Sequence, residues 1–283
     1  MSWPANPGTR PRTTAQCYVA ALSILMLGSA HAQNDSAPAD DGADLAKKLA
    51  NPVAALISVP FQYNYDERIG PTDSGSKSYL NIQPVVPLPL NTDWNLITRT
   101  ILPLVDLRNV PVHGASASGP GDLTASQFFS PTKPTDSGWI WGAGPVELLP
   151  TASDDSLGSG KWGLGPTFVV LKQEGPLTYG LLANHIWSIA GDSKRTSVNS
   201  TFLQPFFAYV TKTKTTFSIN TESTYDWQRD AWSVPINVTV AQLLKIGPQI
   251  ISVTVGARYW VTTPDSGPEG WGWRAAVTLL FPQ

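Results

Sequence analysis

The carboxyl-terminal stretch from Ile250 to Phe281 constrains the fold most, because apolar and polar residues alternate through two runs within it. Successive side chains of a β-strand point to opposite faces, so each run predicts a strand with one apolar face. The segment 263–270 forms the turn between them. The apolar faces consist of Ile251, Val253, Val255, Ala257, Tyr259 and Val261 in the first run and Trp271, Trp273, Ala275, Val277, Leu279 and Phe281 in the second. Strands of about ten residues with an outward apolar face and aromatic residues at their ends are typical of membrane-spanning β-barrels.

Similar alternation recurs along most of the chain. It predicts strands over 53–65, 79–90, 94–105, 122–130, 139–149, 161–171, 179–189, 199–211, 216–227 and 232–244, in addition to the two carboxyl-terminal runs. We therefore predict an all-β fold, a transmembrane antiparallel up-and-down β-barrel of about 12 strands. An even strand number is what bacterial single-chain barrels require. A soluble β-sandwich exported to the periplasm is the alternative fold.

The connections between the predicted strands support this topology, because outer-membrane barrels alternate short periplasmic turns with longer external loops. With both termini in the periplasm, the long segments fall outside, at 66–77, 106–120, 152–160, 191–197 and 263–269. The short turns fall inside, at 91–93, 212–214 and 245–248. Only the segment 131–138 is longer than its position predicts.

The amino terminus has the pattern of a secretory signal peptide. Arg10 and Arg12 precede an apolar run, and the small-residue triplet that ends at Ala32 predicts cleavage there. The apolar run of about ten residues is too short to span a bilayer core of ~30 Å. We therefore divide the chain into a signal peptide (1–32), a flexible periplasmic segment (33–50) in which 44–50 favours a short helix, and an outer-membrane barrel (51–283). The predicted location is the bacterial outer membrane.

Composition agrees with a barrel surrounded by lipid. Charged residues make up 14% of the chain, whereas soluble domains contain about 25%. Acidic residues exceed basic ones by 21 to 19, so no nucleic-acid partner is expected. Tryptophans concentrate near the predicted strand ends, as in the aromatic girdle at a membrane interface. The predicted girdle residues are Trp94, Trp139, Trp141, Trp162, Trp187, Trp227, Trp232, Trp271 and Trp273.

Several charged residues lie opposite the apolar strand faces. A charge at the bilayer midplane costs about 2–4 kcal/mol, so these side chains are expected to point into the lumen. The candidates for a solute path are Arg99, Glu147, Lys161, Glu222, Asp226, Arg258 and Arg274. A structural network of ion pairs that fills the barrel would place the same residues inward. A barrel of this size is expected to be a narrow or gated conduit.

The sequence offers little support for catalysis. After signal-peptide removal the histidines are His113 and His185, and neither a Gly-x-Ser-x-Gly nor a His-Glu-x-x-His motif occurs. We predict that the protein is not an enzyme and has no cofactor, catalytic residue or metal site. The alternatives are a lipid hydrolase or protease that uses His185, and a structural or adhesin barrel without flux.

A series of short motifs spans nearly all of the chain after the signal peptide. It includes Asn51-Pro52-Val53-Ala54, Trp94-Asn95-Leu96-Ile97-Thr98-Arg99, Trp141-Gly142-Ala143-Gly144-Pro145, Leu149-Pro150-Thr151-Ala152, Asn184-His185-Ile186-Trp187-Ser188, Leu203-Gln204-Pro205-Phe206 and the closing Leu279-Leu280-Phe281-Pro282. In these motifs and their order the chain resembles the outer-membrane barrels associated with the meta-pathway of phenol degradation, which are often labelled transporter or neuromedin U.

This resemblance implies a channel or transporter for the passive movement of small hydrophobic or aromatic compounds. The expected partners are those solutes, outer-membrane lipid, and the barrel assembly machinery, which would recognise the last strand at Phe281. In this sequence Pro282 and Gln283 follow that phenylalanine, whereas such barrels usually end on the aromatic residue.

Overall fold

The computed structural model describes residues 42–282, so the predicted signal peptide and residues 33–41 lie outside the described part of the chain. One helix, α1 (Gly42–Leu49), precedes the strands. The strands are β1 (Ile57–Ile69), β2 (Gly75–Ile82), β3 (Val85–Pro89), β4 (Trp94–Arg108), β5 (Ser116–Pro120), β6 (Leu123–Pro131), β7 (Trp139–Leu149), β8 (Lys161–Glu174), β9 (Leu177–Gly191), β10 (Asn199–Val210), β11 (Thr215–Thr221), β12 (Ser223–Asp226), β13 (Ala231–Ile246), β14 (Gln249–Thr262) and β15 (Gly270–Phe281). Within residues 42–282, no helix has the length and apolar character needed to cross a membrane.

The sheet closes on itself. β1 pairs antiparallel with β15, from Ile57 opposite Phe281 to Asp66 opposite Gly272. Three positions around the barrel are each shared by two consecutive strands, β2 with β3, β5 with β6, and β11 with β12, so the fifteen strands occupy twelve positions. The predicted 12-stranded antiparallel barrel is confirmed.

Prolines account for two of the breaks within these shared positions. Proline has no backbone N–H and cannot donate to the ladder between strands. Pro84 separates β2 from β3. The break between β11 and β12 falls at Glu222, whose register places it opposite Pro235 of β13, between the pairs Thr221–Ile236 and Thr224–Ser233.

We call the end of the barrel that holds α1 and Phe281 the terminal end, and the opposite end the loop end. The loop end carries most of the longer connections, at 70–74, 109–115, 150–160, 192–198 and 263–269, and the segment 132–138 is the longer connection at the terminal end that the sequence predicts. Two predicted loops are shorter than expected, because β1 continues to Ile69, β2 begins at Gly75 and β5 occupies part of 106–120. These strand ends are polar and carry no apolar alternation by which the sequence could reveal them.

The outer face of the barrel is apolar. Exposed side chains along β14 and β15 include Val255, Val261 and Val277, all on the face that alternation predicted to point outward. The nine predicted girdle tryptophans fall into two groups. Trp94, Trp139 and Trp141 lie toward the terminal end, and Trp162, Trp187, Trp227, Trp232, Trp271 and Trp273 lie toward the loop end. An apolar band between two aromatic groups is the arrangement of a lipid-facing barrel surface.

The segment that precedes β1 occupies the lumen at the terminal end. Leu45 of α1 packs against the inward-facing Leu56, Leu243 and Leu280. Val53 packs into an apolar cluster with Ile97, Phe128, Val169, Leu171 and Leu182, which lines one wall of the barrel. The strand predicted to start at residue 53 therefore begins only at Ile57, because Val53 serves as lumenal core.

The apolar band on the outer face predicts that the energetic cost of a charged substitution depends on its depth in the bilayer. Val255→Arg places a guanidinium near the middle of β14 and should lower the free energy of unfolding by about 2–4 kcal/mol, whereas Val261→Arg, near the loop end, should cost only about 0–1 kcal/mol. Guanidinium chloride titrations of the barrel in lipid vesicles measure both values. Equal costs at the two positions would show that this surface does not face a bilayer.

Candidate solute path

A network of charged and polar side chains lines one wall of the lumen, and Arg258 lies at its centre. Its side chain is 2% exposed. Nη1 donates to Asp66 Oδ2 at 3.2 Å and Nη2 to Glu222 Oε2 at 2.9 Å. Nε donates to Asn237 Oδ1 at 2.8 Å, and the hydroxyl of Tyr79 accepts a further hydrogen bond. The buried guanidinium is thus surrounded by acceptors, two of which are carboxylates.

Arg274 shares the carboxylate of Glu222. Its Nη1 donates to Oε1 at 2.9 Å and its Nη2 to Oε2 at 2.7 Å, a bidentate pair. Its Nε donates to Asn64 Oδ1 at 2.7 Å, and Arg258 Nη2 reaches the same oxygen at 3.3 Å. Glu222 and Asn64 therefore join the two arginines. We call Asn64, Asp66, Tyr79, Glu222, Asn237, Arg258 and Arg274 the lumenal ion network.

Strand register explains how the two long arginine side chains fit side by side. Arg258 lies opposite Gly272, and Arg274 lies opposite Gly256. A Cβ atom at Gly272 would lie 2.6 Å from Asp66 Oδ1 and would displace that carboxylate. Glycine at this position therefore leaves the space in which Asp66 meets Arg258.

Sequence patterns identified part of this network. Arg258, Arg274 and Glu222 were predicted to face inward, and they meet there. The sequence pattern predicts a loop at Asp66, but the residue lies in β1 and its side chain is 2% exposed. Trp260 was also missed; it is a lumenal tryptophan that donates from Nε1 to Asp66 Oδ1 at 2.9 Å. Asp66 continues the inward alternation of Asn64, but the next outward residue, Glu67, is charged, so the apolar pattern in the sequence does not extend to this position.

The other predicted lumenal charges lie apart from the network. Lys161, at the loop-end start of β8, donates from Nζ to the carbonyl oxygen of Asp192 at 2.6 Å. Asp226 ends β12 and pairs with Arg229 of the following turn at 2.7 Å. Arg99 lies deeper in the barrel, where its Nη2 donates to Gln83 Oε1 at 2.9 Å. Lys161 and Asp226 do not form one site with Arg258 and Arg274, whereas Arg99 makes no hydrogen bond to the network but lines the same cavity as Arg274.

The lumenal prediction is wrong for Glu147. Its neighbour Val146 is fully buried, so alternation turns Glu147 to the outer face, where its register partner is the exposed Leu164. Gln127 Nε2 donates to Glu147 Oε2 at 2.9 Å. Glu147 lies two residues from the loop end of β7, at a depth where a charge on the lipid face costs far less than at the midplane.

A cavity of about 320 Å³ lies in the lumen between α1 and Arg274. Its lining includes the polar side chains of Gln62, Gln83 and Asn220 and the apolar side chains of Val85 and Phe206, which pack on the apolar cluster. Arg99 also lines this cavity. The cavity is bounded by helix α1 toward the terminal end and by the lumenal ion network toward the loop end.

His185, the residue of the hydrolase alternative, belongs to an aromatic group near the loop end. Its ring centroid lies 4.1 Å from that of Trp187, and Nδ1 is 2.7 Å from Thr201 Oγ1. Trp227 Nε1 donates to the same hydroxyl at 2.9 Å. Among residues 42–282, no carboxylate hydrogen-bonds to His185, and no group of three or more His, Cys, Asp or Glu side chains is placed to hold a metal ion.

The lumenal ion network predicts a large effect of removing its central charge. Arg258→Met leaves buried carboxylate oxygens without a cation and should lower the free energy of unfolding by about 3–5 kcal/mol. Arg229→Met, which removes the exposed partner of Asp226, should cost less than about 1 kcal/mol. Denaturant titration of both variants in the same detergent compares them. A loss of similar size in both would contradict the role of the network in stability.

Comparison with known sequences identifies no relative of this chain. No protein-family model matches it, and no curated protein matches it.

Solved structures do resemble it. The COG4313 outer membrane channel from Pseudomonas putida F1 is 18% identical, with a TM-score of 0.64 over 82% of this chain and 97% of that one. The NanC porin is 12% identical, with a TM-score of 0.48 over 79% and 98% of the two chains. Outer membrane phospholipase A from Escherichia coli is 11% identical, with a TM-score of 0.44 over 87% and 99%. The chain thus has the β-barrel fold found in outer-membrane channels, while membership of the phenol meta-pathway family stays a prediction.

Proposed function

We propose that this protein is an outer-membrane channel through which small solutes move passively. The observation that carries the proposal is the lumenal cavity of about 320 Å³ inside a closed barrel whose outer face is apolar. A barrel with only a structural role does not require a lumenal cavity lined by both polar and apolar side chains. The fold shared with the Pseudomonas putida channel supports the same proposal.

The solutes we propose are small hydrophobic or aromatic compounds. Val85 and Phe206 line the cavity and pack on the apolar cluster around Phe128. Apolar side chains of this kind favour an aromatic or aliphatic solute body, and Gln62 and Asn220 in the same lining provide hydrogen bonds. The resemblance to the phenol-pathway barrels points to the same class of solute.

The proposed path is gated, since structure bounds the cavity toward both ends. Helix α1 rests on Leu56, Leu243 and Leu280 mainly through the apolar side chains of Leu45 and Leu49, and Gln173 Nε2 donates to the carbonyl oxygen of Lys47 at 2.9 Å. The lumenal ion network is held by several charge-assisted hydrogen bonds. Helix α1 is held mainly by apolar contacts, which are weaker than the charge-assisted hydrogen bonds of the network. We therefore propose that α1 is the element that moves when a solute passes.

We propose the outer membrane as the site of action, with lipid against the apolar band. The barrel assembly machinery would recognise β15, which ends at Phe281. Exposed phenylalanine at this position, 41% accessible on the outer face, is available to such a partner.

Loosening α1 should open the channel. Leu45→Asp puts a charge into the contact with Leu56, Leu243 and Leu280, so the helix should leave the lumen and the single-channel conductance in planar bilayers should rise. Asp44→Asn changes the adjacent residue, whose side chain is 60% exposed, and should leave the conductance at the wild-type value. If Leu45→Asp folds and conducts no better than wild type, α1 is not the gate.

The same recordings test the channel itself. Wild-type protein should give discrete conductance steps above those of protein-free bilayers. A folded, heat-modifiable barrel that gives no steps, with or without Leu45→Asp, would overturn the channel proposal and favour the adhesin alternative or the His185 hydrolase.

A further inference from the structure

Arg99 is a lumenal arginine that the ion network does not use. Among the described residues, Asp66 and Glu222 pair with Arg258 and Arg274, and no ion pair within 4.0 Å includes Arg99. Its hydrogen bond goes from Nη2 to the uncharged amide oxygen of Gln83. A guanidinium has five N–H donors in a planar fork, so most of the donors of Arg99 have no acceptor among these residues.

Arg99 lies close to both apolar and polar side chains that line the cavity. Arg99 lies opposite Val85 in the register of β3 and β4, and Val85 packs on the apolar cluster together with Phe206. The polar side chains of Gln83 and Gln62 line the same cavity. A cation with free donors thus borders an apolar surface within one cavity of about 320 Å³, near the lower limit of the roughly 300–1,000 Å³ typical of small-molecule pockets.

We propose that Arg99 is the specificity-determining residue of the cavity and that it binds the carboxylate of a small organic acid with an apolar body, such as an aromatic monocarboxylate. This inference rests on the proposed channel function and names the solute class for it. The planar fork suits a carboxylate, which it can hold through two parallel hydrogen bonds. The ring or alkyl body of the acid then lies against Val85 and Phe206, while Gln83 holds the guanidinium in place.

Charge balance in the lumen favours an anion at this position. The carboxylates of Asp66 and Glu222 are already shared by the two arginines of the network. Glu222 attracts Arg99 from a distance, but neither carboxylate lies within ion-pair distance of it. A bound monocarboxylate supplies a negative charge in direct contact with the guanidinium, and a neutral aromatic molecule of the same shape does not.

Calorimetric titration of the folded, full-length mature protein in detergent tests the proposal with three probes. Benzoate should bind. Benzamide, which has the same shape without the charge, should bind roughly tenfold or more weakly, as expected for the loss of hydrogen bonds between charged groups. Acetate, which lacks the apolar body, should also bind more weakly than benzoate. Equal affinity for benzoate and benzamide would overturn the proposal.

Two variants of the same strand complete the test. Arg99→Gln keeps a donor for Gln83 but removes the charge, so its affinity for benzoate should fall to that for benzamide. Arg108→Gln removes an arginine that is 73% exposed at the loop end and should leave both affinities unchanged. A tenfold preference for benzoate that survives in Arg99→Gln would overturn the role of Arg99. If Arg99→Gln does not fold, Arg99→Lys takes its place, and it should retain a preference for benzoate over benzamide.

Conductance of the same preparation separates this inference from the channel proposal. Protein that conducts ions but binds benzoate and benzamide alike overturns only the carboxylate site. Protein that prefers benzoate but forms no conducting channel supports the site and overturns only the proposed function.

Discussion

The closure of the sheet between β1 and β15 is the constraint on which the rest of this structure depends. No water is present in a bilayer core to satisfy backbone N–H and C=O groups, so a sheet with free edges is not viable there. The seam pairs residues 57–66 with residues 272–281 and leaves no edge. Once the sheet is closed, alternation forces every second side chain inward, and the inside must accommodate charges, prolines, glycines and the segment that precedes β1.

The lumen accommodates these groups by dividing into two unlike walls. The wall built from β1, β2 and β12 to β15 is polar, because two arginines and two carboxylates satisfy one another there. The wall built from β4, β6, β8, β9 and β10 is apolar and is covered in part by Val53. The cavity between α1 and Arg274 borders residues of both walls.

Alternation in the sequence predicted much of this architecture, and its failures have physical causes. The lumenal positions of Arg258 and Arg274 followed from alternation with long apolar neighbours, and the predicted bounds of β7 agree with the structure. The prediction for Glu147 failed because both faces of its strand are apolar, with Gly142 and Val146 inward and Trp139 and Trp141 outward, so no alternation of polar and apolar residues showed which face points inward. The polar ends of β1 and β5 resembled loops for the same reason.

The placement of α1 inside the barrel was beyond any local pattern. An eight-residue helix next to an acidic segment has the composition of a solvent-exposed turn. Its burial depends on Leu56, Leu243 and Leu280, which come together only when the barrel has formed. Likewise, the unpaired donors of Arg99 are visible only once the partners of Glu222 are known.

The distribution of the ion network across the seam has a consequence for how the barrel selects its register. Asn64 and Asp66 belong to the first strand, while Arg258 and Arg274 belong to the last two, 192 to 210 residues away in sequence. Sliding β15 by one residue along β1 would turn Arg274 toward lipid, and sliding it by two would separate the arginine from Asn64. The charges therefore favour one alignment of the closing strands, so that side chains inside the barrel help to specify which residues of β1 and β15 pair with each other.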